Sequence, residues 1–322
     1  MIYDAFNGDA DGICALHQLR LADPVESTLI TGVKRDIGLL KQIDAVAGDE
    51  VNALDIAVEK NVVPLAAMLE KGVKVRWFDH HNPGELPVHA NFQANIDTSA
   101  DVCTSLLVDR YLAGKYRIWA VAAAFGDNLH AAARIAAEPL GLSGHQLEQL
   151  RELGECLNYN GYGDSLADLH FHPAELYRLL HGYTDPFDFM RESAAFQTLR
   201  AGYAADMDNA RACKPAETRA CGAVFILPDA AWARRVSGVY ANDLATAYPE
   251  RAHAMLTRAP GGHPGGHYVV SVRAPLNNKS GADELCKRFE TGGGRKAAAG
   301  INVLPEARIP DFVAAFFDAW PS

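Results

Sequence analysis

Over residues 1–81 short β-prone runs alternate with apolar-periodic stretches, and three of those runs end in acidic or histidine-bearing turns. The runs are MIYDAF (1–6), STLITGV (27–33), VNALDIAV (51–58) and VKVRWFDHH (73–81). Between them, Ile13, Leu16, Leu19 and Leu21 follow near-helical spacing, and IGLLKQIDAV (37–46) and VPLAAMLEKG (63–72) read as two further helices, the latter closed by a glycine. Strands alternating with helices require crossover connections and a largely parallel sheet. Sheets of that kind bind ligands beyond the carboxyl ends of their strands. Asp9, Asp55 and Asp79–His80–His81 all fall at such ends.

Past residue 100 the pattern turns helical. Residues 98–114 hold a helix start around Cys103. Residues 116–141 read as one Ala-rich buried helix carrying Gly126, Asp127 and Asn128, and residues 144–210 as helices broken by loops. Near residue 220 strands return (222–229, 267–276, 299–305) with helices over 234–248, 281–289 and 310–320. The expected class is α/β: a domain at 1–190 with a mainly parallel sheet flanked by helices, a helical connector at 191–219, and a smaller α/β domain at 220–322.

With 30 basic against 40 acidic residues, the net charge of -10 disfavours long duplex nucleic acid, whose phosphates want a basic surface. A small anionic substrate or a short strand end fits better. No run is long and apolar enough to span a bilayer, and the N-terminal apolar run turns acidic too soon for a signal peptide. The six cysteines form no CxxC pair, so reduced thiols and a cytoplasmic location are expected.

The chemistry concentrates in a few places. In NGDADG (7–12), Asn7, Asp9, Asp11 and Gly12 match the opening of a calcium loop, but Gln18 stands where that loop needs a bidentate glutamate. Read singly, the stretch is equally an acidic turn. His80 and His81 on an extended chain point to opposite sides, so one reaches a metal while the other faces a substrate phosphate, unless both are structural. Asp127 alone reads as a ligand or as an exposed helix position. Together Asp9, Asp11, Asp55, His80 and Asp127 supply four carboxylates and one imidazole, a donor set suited to manganese or magnesium. Carboxylates converging in this way can bridge two ions and support phosphoryl hydrolysis by an activated water.

A second constellation is FETGGGRKAAAG (289–300). Gly292, Gly293 and Gly294 followed by Arg295 and Lys296 make either a cradle for phosphate or a plain turn with solvated cations. Arg273 and Lys279 are candidates for the same cleft, and Lys34 and Arg35, beyond a predicted strand end, for substrate phosphate. The stretch APGGHPGGHY (259–268) reads as a connecting loop, and Cys103 has no histidine partner that would make it a nucleophile.

GDADG (8–12), Asp55, FDHH (78–81), FGDN (125–128) and GGGRKAAAG (292–300) together resemble the DHH superfamily of phosphoesterases with a C-terminal DHHA1 domain, in order as well as identity. The resemblance spans nearly the whole chain. It implies a DHH-type catalytic domain and a DHHA1-type substrate-binding domain, and a manganese-dependent enzyme of the nanoRNase or RecJ-like exonuclease kind. Such an enzyme hydrolyses phosphodiester or phosphomonoester bonds of small nucleotides or short single-stranded oligonucleotides. A homodimer is compatible with it, and no membrane partner is implied. By position, Asp9 binds one of two manganese ions and Asp11 the other, Asp55 bridges, His80 and Asp127 complete the second site, and His81 lies near the substrate. Magnesium is the alternative ion. Gly292, Gly293 and Gly294 hold a substrate phosphate or terminal nucleotide. The sequence departs from the family at Ala5, where a metal-binding histidine is usual, and at Arg295, which replaces the histidine after the glycines. Asn7 or Asp4 are the available substitutes for the first. An exopolyphosphatase, or a non-catalytic nucleotide-binding regulator lacking the first metal, are the alternatives.

Overall fold

The computed structural model describes residues 1–259 and 266–321, so residues 260–265 of the loop expected at 259–268 lie outside the described residues. The chain divides into two compact units, Met1–Ala201 and Gly202–Ser322.

The first unit is built on strands β1 (Ile2–Phe6), β2 (Thr28–Thr31), β3 (Glu50–Leu54), β4 (Lys74–Asp79) and β5 (Phe92–Ile96). They form one sheet in the order β2-β1-β3-β4-β5, every pair parallel. Helices α1 (Ala10–Ala22), α2 (Val62–Glu70), α3 (Thr104–Tyr111), α4 (Arg117–Gly126), α5 (His130–Ala137), α6 (Gly144–Gly161), α7 (Pro173–His181) and α8 (Pro186–Glu192) accompany it. Alternate side chains of the strands enter different cores, as the two-residue period demands. Tyr3, Ala5, Val51, Ala53, Val75 and Trp77 pack with Leu65, Met68 and Leu69 of α2. Phe6, Leu54 and Phe78 pack with α1, α3, α4 and α6. Every parallel strand therefore delivers its C-terminal turn to one edge between two filled cores.

Three expectations need correction. Residues 37–46 form no α-helix; only Leu39–Gln42 makes a 3-10 turn. The Leu40 amide donates instead to Asn61 Oδ1, from 21 residues further along the chain. The helix expected over 116–141 breaks after Gly126, because Asp127 caps α4 and Asn128 takes the left-handed conformation (φ 64°) before α5 starts at His130. Strand β5 is additional to the strands expected, its alternation being too weak to read.

Helix α9 (Ala194–Ala212) contains the division between the units. In the second unit, β6 (Glu217–Arg219), β7 (Gly222–Ile226), β8 (Ala252–Arg258), β9 (His267–Arg273), β10 (Gly292–Arg295) and β11 (Ala298–Pro305) form a mixed sheet in the order β10-β11-β9-β8-β7-β6. Helices α10 (Ala231–Ala247), α11 (Ala282–Cys286) and α12 (Ile309–Ala319) complete it. Here β6 and β8 are additional to the expected strands, and the triple glycine is an edge strand of a hairpin with β11 rather than a free turn. Gly292 can pack there only without a side chain, because a Cβ would lie 1.8 Å from the Cys286 carbonyl oxygen. Among the described residues no helix is long and apolar enough to cross a membrane.

One buried ion pair ties β1 to α1. Arg20 grips Asp4 with both ends of its fork, Nε to Oδ2 at 2.7 Å and Nη2 to Oδ1 at 2.6 Å, and Ser27 and Asn52 donate to the same carboxylate. Removing one member of such a pair strands the other charge. Arg20→Met is expected to destabilise the first unit by about 3–5 kcal/mol, read as a lower urea midpoint; an unchanged midpoint contradicts this.

Candidate metal centre

The centre forms where four strand-end or helix-end turns meet. Asp9 is the N-cap of α1, and its Oδ1 accepts from the amides of Asp11 (3.0 Å) and Gly12 (3.1 Å). The turn is tight, since a Cβ on Gly12 would fall 2.2 Å from the Asn7 carbonyl oxygen. Asp11 points from the first turn of α1 to the start of α3, where the Thr104 and Ser105 amides each donate to one of its oxygens at 2.7 Å. A helix N-terminus favours a carboxylate there, and the two amides fix Asp11 in position. Asp55 follows β3 with φ 59°, a conformation that costs a non-glycine residue of order 1–3 kcal/mol. Its amide donates to the Phe78 carbonyl (3.0 Å), and Thr104 Oγ1 donates to its Oδ1 (3.0 Å).

His80 is the hub. Its Nε2 lies 3.5 Å from Asp55 Oδ1, 3.9 Å from Asp127 Oδ2 and 4.0 Å from Asp11 Oδ2. His81 sits 4.0 Å from Asp55 Oδ1 and is held by Asp79, whose Oδ1 lies 2.7 Å from its Nδ1. Ligand atoms of Asp11, His80 and Asp127 lie within 4.8 Å of one another, as do those of Asp55, His80 and His81.

From the sequence Lys34 is a candidate only for substrate phosphate, yet its ammonium enters this cluster. Nζ is 2.6 Å from Asp9 Oδ2 and 3.6 Å from Asp127 Oδ1. The signal available in the sequence is a lysine just beyond the strand next to β1, which cannot by itself distinguish an inward from an outward side chain. The roles of the Thr104 and Ser105 amides are equally hidden, because backbone donors carry no residue signature.

The donor chemistry fits a hard cation. Asp9, Asp11 and Asp55 are buried, Asp127 is half-buried, and among the described residues Lys34 is the one permanent cation touching them. Two like charges at about 4 Å repel by about 4 kcal/mol at an effective dielectric of 20, so the set needs more positive charge or bound protons. Burial pushes Asp55 well above the usual carboxylate range, with Asp11 and Asp9 adding to it. Burial likewise pushes Asp127 up to about 6, against the pull of Lys34. Burial opposes the charge on Asp9 too, but there Lys34 and the Gly12 amide win and hold the carboxyl low. The Asp79 hydrogen bond raises His81. Oxygen donors with imidazole suit manganese or magnesium. Cys103 is no rival nucleophile, because burial drives its thiol far up.

The residues expected to bind substrate are not all in this unit. Arg35 is exposed and pairs with Asp164 at 2.6 Å. Gly292, Gly293, Gly294, Arg295 and Lys296 belong to the second unit, with Arg295 and Lys296 exposed at the β10–β11 turn. Arg273, also in the second unit, donates through Nε to Asn242 Oδ1 (2.6 Å).

A parallel sheet followed by helices and a mixed sheet fits the DHH and DHHA1 architecture, and solved structures share it. A manganese-bound exonuclease RecJ is 19% identical with a TM-score of 0.64, matching 99% of this chain and 89% of that one. RecJ in complex with Mn2+ from Thermus thermophilus is 19% identical with a TM-score of 0.63; the match covers 98% of this chain but 51% of that protein, about half its length. A pGpG-specific phosphodiesterase, PggH from Vibrio cholerae, is 12% identical with a TM-score of 0.55, covering 98% of both chains. RecJ and PggH are both members of the DHH superfamily. No protein-family profile matches the sequence, and no curated protein does.

The titrations set a direction for stability without metal. The cost of ionising Asp127 is absent below its unfolded value of 3.8 and fully present above about 6. Asp55 acts in the same sense. His81, raised from 6.5, contributes stability that is complete below 6.5 and lost as pH rises through its folded value. Burial holds the imidazoles of His17, His181 and His253 below the usual range, which acts in the opposite sense below about pH 6.5, so the contribution of the centre is read as a difference: the EDTA-treated protein should lose melting temperature relative to its Asp55→Asn variant as pH rises from about 5 to 8. Manganese should restore about 2.7 kcal/mol at a hundred times its Kd, most effectively at the alkaline end where its ligands are deprotonated. A wild-type melting temperature that gains on that of Asp55→Asn over this interval without metal contradicts the assignment.

Proposed function

We propose that the chain is a manganese-dependent phosphoesterase that hydrolyses phosphodiester or phosphomonoester bonds of small nucleotides or short single-stranded oligonucleotides, as nanoRNases and RecJ-like exonucleases do. The observation that carries this reading is the convergence of Asp11, Asp55, Asp127 and His80 at the strand ends of a parallel sheet, with both Asp11 oxygens locked by α3 amides. These residues, with Asp9, would hold the manganese, or magnesium in its place. When bound, such an ion activates water and neutralises charge on the phosphoryl oxygens.

The protein groups divide the remaining work. Asp11 and Asp55 are oriented by the α3 terminus before any ligand arrives, so little reorganisation is needed. Asp79 accepts from His81 Nδ1, which leaves Nε2 of that ring to face a substrate phosphate or a leaving oxygen. Arg295, Lys296, Arg273 and the glycines at 292–294 are assigned to the non-reacting end of the substrate, and Arg35 to a further phosphate. The net charge of -10 supports a short substrate over a long duplex. The six free cysteines support a reducing, cytoplasmic setting.

A manganese-supplemented assay against dinucleotides, cyclic dinucleotides, 3'-phosphoadenosine 5'-phosphate, short single-stranded oligomers and polyphosphate tests the proposal. Turnover is expected on at least one nucleotide substrate. Asp11→Ala and Asp55→Ala should each remove it beyond the roughly 10–100-fold that loss of a ligand's own hydrogen-bond partner costs, and Thr104→Val should fall within about that range. Turnover on polyphosphate alone would favour the phosphoanhydride reading. No turnover on any member would leave a nucleotide-binding protein as the better account.

A further inference from the structure

Lys34 is not a surface lysine that has strayed into an acidic pocket. Its backbone is clamped from two directions: its amide donates to the Gly161 carbonyl (2.8 Å) at the end of α6, and its carbonyl accepts from Asn7 Nδ2 (3.2 Å). Gly161 also lets the end of α6 lie against Asp9, because a Cβ there would fall 2.9 Å from Asp9 Cβ. The ammonium then meets Asp9 Oδ2 at 2.6 Å and Asn158 Oδ1 at 3.2 Å, within hydrogen-bonding distance of both, and stands 3.6 Å from Asp127 Oδ1 as an ion pair. The Asn158 amide is oriented for this, since its Nδ2 donates to the Tyr162 hydroxyl (3.0 Å) and leaves Oδ1 for the lysine. Nζ also stands 5.5 Å from the centroid of the Tyr162 ring.

Asp9 is satisfied by this arrangement. One oxygen caps α1 and the other takes Lys34. Both ligand groups that could close on a metal use His80, and among the described residues neither includes Asp9. The position that would furnish an imidazole to the Asp9 side is Ala5, which is fully buried in the core against α2. Asp4 offers no replacement, because Arg20, Ser27 and Asn52 occupy its carboxylate.

We propose that the Lys34 ammonium is the resident cation of the Asp9 side, and that the centre takes a single divalent ion among Asp11, Asp55, His80 and Asp127. This rests on the metal-dependent reading above, and it replaces the two ions that the family resemblance implies, with Asp9 among their ligands, by one ion and one ammonium. A lysine supplies one positive charge and up to three protons in a fixed direction. It would hold a phosphoryl oxygen by hydrogen bonding where a second metal would have coordinated it.

Metal analysis combined with electron paramagnetic resonance tests this without an activity readout. The full-length wild-type protein, equilibrated with MnCl2 and freed of excess, should carry close to one manganese per chain with the spectrum of an isolated ion. Lys34→Ala should admit a second, weaker ion and show the exchange-coupled spectrum of a pair about 3.5–4 Å apart. A wild-type protein that binds two coupled ions overturns the inference and leaves the metal-dependent reading standing. A Lys34→Ala protein that stays at one isolated ion under saturating manganese also overturns it. Absence of any bound manganese in the wild type overturns the proposed function and the inference with it.

Discussion

The structure depends on a concentration of negative charge that the fold cannot leave unanswered. Asp9, Asp11 and Asp55 are buried at the strand ends of the parallel sheet, with Asp127 beside them. Each is held by a different part of the chain: an α1 cap, the α3 terminus, a left-handed turn after β3, and the end of α4. Moving them apart would break those local bonds. The fold therefore keeps the carboxylates together and meets their repulsion with a lysine and with raised proton affinity at Asp55 and Asp127, and the set has the donors that could hold a metal ion.

The Arg20–Asp4 and Lys34–Asp9 pairs of the first unit divide structure from chemistry. Arg20 and Asp4 lie inside the helix-facing layer, fully paired, and lock β1 to α1. Lys34 and Asp9 lie at the edge of the centre, where the lysine keeps a 29% exposed side chain. A planar guanidinium suits the first because both carboxylate oxygens are available to it. A point-like ammonium suits the second, where one Asp9 oxygen is already committed to the helix cap and the remaining partners come from three directions.

Much of this is legible from the residues. The alternation of strands and helices leads directly to the parallel sheet, and the acidic strand ends are visible as NGDADG, Asp55 and DHH. The limits of legibility have physical causes. Residues 37–46 carry helical periodicity, but the Asn61 side chain supplies the Leu40 amide with a partner, so a 3-10 turn suffices. The run through Asp127 looks continuous because Ala-rich helices on either side hide the left-handed Asn128. The glycines at 292–294 suggest a turn because glycine favours turns, whereas sheet pairing with β11 decides the outcome. Lys34 is hardest to place, since its role depends on Gly161 and Asn158, which lie far along the chain on α6.

The central claim is that these side chains form a metal centre in which a lysine stands beside Asp9. Anomalous diffraction at the manganese edge, from crystals grown with manganese, tests it most directly. The account predicts one peak bounded by Asp11, Asp55, His80 and Asp127, with Lys34 Nζ still hydrogen-bonded to Asp9. A peak ligated by Asp9 with Lys34 swung away, or no peak at these residues, would contradict it.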